Sequence, residues 1–193
     1  MNKQLITNVI LFLLLATGIS AQSIDKTVES INKRYAEISA KVKACETDDD
    51  QGEYGELFMN TLTVNSRNHQ WRAVGIYGQT FKFFYRAVGN DEKRLYPDQL
   101  VFVRVERTQS NRKYAEEYLY SDAGVLIFYS QKAENDGDAP ADRRVYFSGR
   151  KAVRIVEDTK SRDRLTAKDG ATVKAIDAAS LKIGDTFLRT LRL

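Results

Sequence analysis

The residues best suited to chemistry stand together in Lys113-Tyr114-Ala115-Glu116-Glu117-Tyr118-Leu119-Tyr120. In an extended strand, alternate side chains share a face, so Tyr114, Glu116, Tyr118 and Tyr120 form one row. An aromatic row with a carboxylate can stack against a glycan or hold a peptide. With a second carboxylate at the right separation it can also cleave a glycosidic bond. Glu117 points to the opposite face and cannot be that partner. Glu106, on the neighbouring strand, is the alternative, and Arg104 or Arg112 can neutralise either acid, giving a salt-bridged ladder instead. Trp71, with Tyr77, Phe81, Phe83, Phe84 and Tyr85 downstream, adds a second aromatic concentration, for which core packing is the plainer use. The expected ligand-binding set is Trp71, Tyr114, Glu116, Tyr118 and Tyr120. No catalytic set is assigned.

Other chemistries have few residues to draw on. The chain holds one cysteine and one histidine, Cys45 and His69. A cysteine nucleophile needs a base beside it, and His69 lies in the polar stretch Asn65-Ser66-Arg67-Asn68-His69-Gln70, with nothing in the sequence to bring the two together. The same scarcity argues against zinc and other transition metals. The acidic segment Glu46–Glu53 is dense in carboxylates, but its three consecutive aspartates point in different directions, unlike the alternating ligands of a calcium loop. No serine elbow, phosphate loop or dinucleotide fingerprint is present. Neither a metal nor a cofactor is expected.

The elements that must position these residues follow from periodicity. Ile24, Val28, Ile31, Tyr35, Ile38 and Val42 recur in steps of four and three, which predicts a helix over 22–45 with one apolar stripe. From 56 to 158 the pattern turns to β, with seven strands expected: Leu57–Val64, Trp71–Arg86, Leu100–Arg107, Arg112–Tyr120, Val125–Lys132, Arg143–Phe147 and Lys151–Val156. The polar stretch 65–70 reads as the turn joining the first two strands, and Gly75 and Gly78 as a bulge or a close backbone approach. Val101, Val103 and Val105 are expected to share a face. The loop Ala133–Asp142 is the best candidate for mobility. Thr159–Lys168 reads as a basic linker, ended by Asp169-Gly170. Apolar residues from Val173 to Leu191 then predict a C-terminal helical region, with Gly184 dividing it in two. Together these make an α+β fold, an antiparallel meander with helices packed on it.

Residues 1–21 have the parts of a secretory leader. Lys3 precedes the unbroken apolar run Val9–Ala16, and Thr17-Gly18-Ile19-Ser20-Ala21 gives a small-residue exit. That run is shorter than the roughly 20 residues a spanning helix needs. Cleavage after Ala21 leaves 172 residues with formal net charge +3, a single domain at 22–193. Basic residues gather at Arg143, Arg144, Arg150, Lys151 and Arg154, and at Lys160, Arg162, Arg164 and Lys168. Interspersed acids make that region a mixed-charge surface and not a nucleic-acid footprint.

The strand-turn-strand cadence Glu117-Tyr118-Leu119-Tyr120, Gly124, Leu126, Phe128, Tyr129, then Arg143-Arg144-Val145-Tyr146-Phe147, Gly149, Lys151 and Arg154, resembles uncharacterised secreted bacterial proteins with tyrosine-rich hairpins. Trp71-Arg72-Ala73-Val74-Gly75-Ile76-Tyr77 is similar to the same group. The resemblance implies an envelope or secreted location and carries no catalytic residues across. The expectation is an exported, noncatalytic binding or interaction module, periplasmic or extracellular and monomeric. Its ligand would be a protein, peptide or glycan on the concave sheet face. The alternatives are a small glycan hydrolase or lyase acting through Glu116, and an envelope inhibitor or assembly factor.

Overall fold

The computed structural model describes residues 3–47, 57–72, 75–87, 97–134, 137 and 140–192, with side chains from residue 23 onward. Helix α1 spans Lys3–Thr47 and α2 Ala167–Thr190. Between them, among the described residues, lie nine strands: β1 Phe58–Val64, β2 Gln70–Trp71, β3 Gly75–Arg86, β4 Gln99–Gln109, β5 Arg112–Tyr120, β6 Leu126–Glu134, β7 Asp142–Ser148, β8 Lys151–Glu157 and β9 Lys160–Arg162. Every pairing is antiparallel, in the order β1-β3-β4-β5-β6-β7-β8-β9, with β2 also on β3. The expected α+β meander is present, with more strands than seven.

A helix crosses each face of the sheet, and the part of α1 from Asp25 to Glu46 matches its width. On one face, Asp25 of α1 meets Arg154 of β8, Asn32 meets Tyr146 of β7, and Glu46 meets Lys82 and Arg104 of β3 and β4. The 21 residues from Asp25 to Glu46 rise about 32 Å, and β8 to β1 is about 29 Å of strand spacing. On the other face α2 runs from Arg162 of β9, which binds Asp169, to Asn60 of β1, which donates to Thr190 at 3.1 Å. The predicted stripe does the packing on the first face: Val28, Ile31, Ile38 and Val42 bury against Phe84, Phe102, Leu119, Phe128 and Tyr146. On the second, Ile176, Ile183 and Phe187 bury against Phe83, Tyr85, Val103, Tyr118, Tyr120 and Val145.

Three bulges shape the sheet. Phe84 and Tyr85 pair with Phe102 and Leu100, Leu119 and Tyr120 with Phe128 and Leu126, and Tyr146 and Phe147 with Arg154 and Ala152. Val101, Ile127 and Val153 are therefore extra residues, which bend the strands and raise their twist. The bulge corrects one expectation: Val101 turns to the α1 face beside Phe102, while Val103 and Val105 face α2.

Other boundaries also move. Residues 65–69 are not a hairpin turn, because β1 and β2 lie along the same edge of β3 in the same direction. The stretch is an outward excursion held by Asn65, whose side chain donates to the His69 carbonyl at 2.8 Å and to that of Tyr77. Gly78 is a close approach, but of a side chain and not of backbone: a Cβ there would stand 2.4 Å from Asn68 Oδ1. The basic linker contains β9. Asp169 does not break the chain; it closes a capping box with Thr166 and starts α2. Gly184 does not divide the helix, which runs unbroken. Residues 48–53 of the acidic segment lie outside the described residues, as do 135, 136, 138 and 139 of the loop 133–142, whose ends belong to β6 and β7.

Candidate functional site

Neither helix covers the whole of its face. Both cross near the bulges, and the far ends of β3–β8 carry polar side chains on each face. On the α2 face the register aligns Glu116 with Gln131, Gln131 with Arg143 and Arg143 with Glu157. One step further out, Gln79 aligns with Arg107 and Arg107 with Tyr114.

The structure sets Tyr114, Glu116, Tyr118 and Tyr120 on one face, as alternation requires, but it does not leave the row wet. Tyr120 is only 4% exposed, roofed by α2. Its hydroxyl donates to the Ser180 carbonyl at 3.4 Å and accepts from Ser180 Oγ at 3.1 Å. Tyr118 is buried with its ring edge on Tyr129, centroids 5.0 Å apart, and its hydroxyl donates to Glu116 at 2.7 Å. Burial, reinforced by Glu116, pushes both the Tyr118 and the Tyr129 phenols far above their ordinary range. Both therefore act as fixed donors, Tyr129 to Gln131 at 3.1 Å. Tyr114 is buried under the Arg107 guanidinium, 4.3 Å above its ring. Tyr118 and Tyr120 belong to the core under α2, whereas Tyr114 lies outside it and is covered by Arg107; the row was expected to be open because nothing in the strand's own residues shows where α2 lands.

Glu116 is bracketed by Tyr118 and by Arg107, 3.8 Å away. The expected cross-strand pair is corrected: Glu106 lies opposite Ala115, on the α1 face, and Arg107 is the neutralising cation. Arg104 serves Glu117 instead. The other carboxylate in the row, Glu157, is three strands from Glu116, about 14 Å at ordinary strand spacing. Glycosidase pairs need about 5–10 Å. Glu157 is also bound by Arg143 and Arg162. No acid/base pair assembles around Glu116 among the described residues.

Trp71 is the member of the expected set that stays open, 46% exposed at the end of β2. Its ring packs on Tyr77, centroids 4.9 Å apart, and the Tyr77 hydroxyl donates to Gln79 at 2.7 Å. Trp71, Tyr77, Gln79, Arg107, Tyr114 and Glu116 thus form a continuous band from the sheet edge to β5. Gln79, Arg107, Gln131 and Arg143 were not anticipated. Parity would have found Arg107, two residues from the core-facing Val105.

The α1 face has a matching polar row beside the helix, opening on a cleft of about 580 Å³. Glu117 accepts from Tyr35 at 2.5 Å, from Ser130 at 3.2 Å and from Arg104 at 3.2 Å. Burial, aided by Glu117, pushes the Tyr35 phenol up to about 12. Arg104 also binds Glu46 at 2.6 Å. These charges close on one another, and the row reads as a brace between α1 and the sheet. The expected mixed-charge surface is likewise paired: Arg144 with Asp142, Arg154 with Asp163 and Asp25, Arg162 with Asp169.

Cys45 is half-buried, its Sγ 3.3 Å from the Leu57 carbonyl at the head of β1. His69 lies beyond the other end of β1, about 20 Å along the strand. No group of three or more metal-binding side chains occurs among the described residues, and no helix there is long and apolar enough to cross a membrane.

Searches of protein-family models, curated proteins and solved structures find no match to this chain.

Proposed function

We propose that the chain is an exported, noncatalytic interaction protein that docks a protein partner on the open half of its α2 face. The observation that carries this reading is the band from Trp71 to Glu116. It sets an exposed tryptophan on a tyrosine, next to an arginine laid over a second tyrosine. Trp, Tyr and Arg are the residue types that anchor protein interfaces. The surrounding Gln79, Gln131 and Arg143 supply a hydrogen-bonding rim. Two-sided helix cover makes the sheet rigid enough to present that band without rearrangement. Export rests on the leader-like first 21 residues, and a role as an envelope inhibitor or assembly factor would use the same docking surface. Catalysis through Glu116 is disfavoured by its distance from a second acid.

A photoreactive aromatic residue at position 71 or 107 should capture one partner of the same mass, with none captured from position 151 at the far end of β8. Glycan turnover that disappears in Glu116→Gln while the fold survives would sink the docking reading. Terminal sequencing of protein from the cell envelope should begin at Gln22, and a Met1 start would overturn export.

A further inference from the structure

At the bulged end of the sheet, a groove of about 450 Å³ opens between α2 and the entries to β4 and β6. Leu100 and Leu126 form its sheet wall, and Leu181 and Leu188 line the helix side, 55% and 43% exposed. Between those leucines stands Gly184. Glycine inside a helix is unfavourable relative to alanine and leaves the helix surface without a side chain there. Among the described residues nothing lies within 4 Å of where its Cβ would be. The space it leaves faces the groove.

The rim is acidic. Asp98, Asp122, Asp177 and Asp185 line it together with Arg150. Asp122 is neutralised by Arg34 and Arg86, whereas Asp177 and Asp185 have no ion pair among the described residues. Along α2 those two carboxylates are eight residues, about 12 Å, apart, with Leu181 midway between them and Gly184 immediately before Asp185. In an extended peptide, positions 1, 3 and 5 share a side, and the outer two are about 13 Å apart.

We infer that this groove binds an extended peptide segment of the pattern basic-x-aliphatic-x-basic. The aliphatic side chain packs on Leu181 beside the space left by Gly184, and the two cations pair with Asp177 and Asp185. The inference is independent of docking at Trp71, since the two surfaces share no residue.

The test titrates the full chain with acetyl-Lys-Ser-Leu-Ser-Lys-amide and follows amide resonances by NMR. Saturable shifts confined to Asp177–Leu188, Asp98–Leu100 and the β5–β6 turn are expected. Affinity should fall at least tenfold in Gly184→Leu, whose thermal midpoint should equal or exceed that of the parent. A comparable fall is expected in the Asp177→Asn, Asp185→Asn double variant, and with a peptide carrying Glu for both Lys. Saturable binding that survives all three changes, or no saturation by millimolar peptide, would overturn the inference.

Discussion

Asp169 joins the last strand to the last helix, and removing it should have a predictable cost. It is 5% exposed. Its carboxylate accepts from the Thr166 amide and the Thr166 hydroxyl, each at 2.8 Å, and from both Nε and Nη2 of Arg162. The Arg162 hydrogen bonds hold the carboxyl well below its usual range, against the opposing effect of burial, with Thr166 adding to the depression. Loss of a helix cap costs about 1 kcal/mol, and loss of charge-assisted bonds to a buried acceptor about 1.5–3 kcal/mol. Arg162 keeps Glu157 at 2.9 Å, so the lower part of that range applies. Asp169→Ala should therefore lose about 3 kcal/mol, lowering the thermal midpoint by roughly 6–12 °C for a domain of this size. Asp169→Asn, which keeps one acceptor, should lose about half as much. The folded-state pKa is depressed, so the stabilisation is complete above the unfolded value near 4 and declines as pH falls toward the folded value. Urea unfolding of parent and variant should show a constant gap from pH 7 to about 5 that narrows below about pH 4. A gap under about 1 kcal/mol at pH 7, or an equal gap at pH 2.5, would refute the reasoning.

The remaining predictions concern other layers. Phe102→Ala, at a fully buried ring between Tyr35 and Phe84, should cost about 3–5 kcal/mol by denaturant unfolding. Gly78→Ala should cost about 1–3 kcal/mol, because its methyl must displace Asn68, and perturbed amides at 65–69 should report this. In a spectrophotometric titration, Tyr35→Phe should remove one phenol ionising near pH 12, and substitution of Glu117 by Gln should bring that ionisation down. Nonreducing gels of the mature protein should show monomer, with Cys45 held against β1; a clean disulfide dimer would contradict this.

How much of this was legible in the residues depended on how local the cause was. Strict alternation in Arg112–Tyr120 placed every β5 side chain on its correct face, including Glu116 and Glu117 on opposite ones. The stripe from Ile24 to Val42 gave the buried side of α1. Bulges were less accessible: Val101 reads as one more alternating valine until β3 pairs with both Leu100 and Phe102 around it. Lys160–Arg162 is too short and too basic to announce a strand, and pairing with β8 alone makes it one. Thr166-Ala167-Lys168-Asp169 did carry a capping signal, masked by the following glycine, which usually marks a turn. Burial of Tyr118 and Tyr120 depends on α2, sixty residues away from Tyr120 at its contact with Ser180. Among the expected site residues, only Trp71 could be recognised as open from its place at a strand end.

The three extra residues have a consequence for how such a sheet can change in size. Val101, Ile127 and Val153 recur at an interval of 26 residues, each on the second strand of its hairpin and each on the same transverse line. They form a crease across the sheet, and one hairpin is the repeating unit on either side of it. Losing or gaining a single residue within β4, β6 or β8 would swap the faces of that strand and set its core side chains outward. Removal of one whole interval, joining Leu100 to Ile127, would bring Phe128 to the position of Phe102 and Tyr129 to that of Val103. The faces, the crease and the track of each helix would be preserved on a narrower sheet, so the width of this architecture is modular while its register is not.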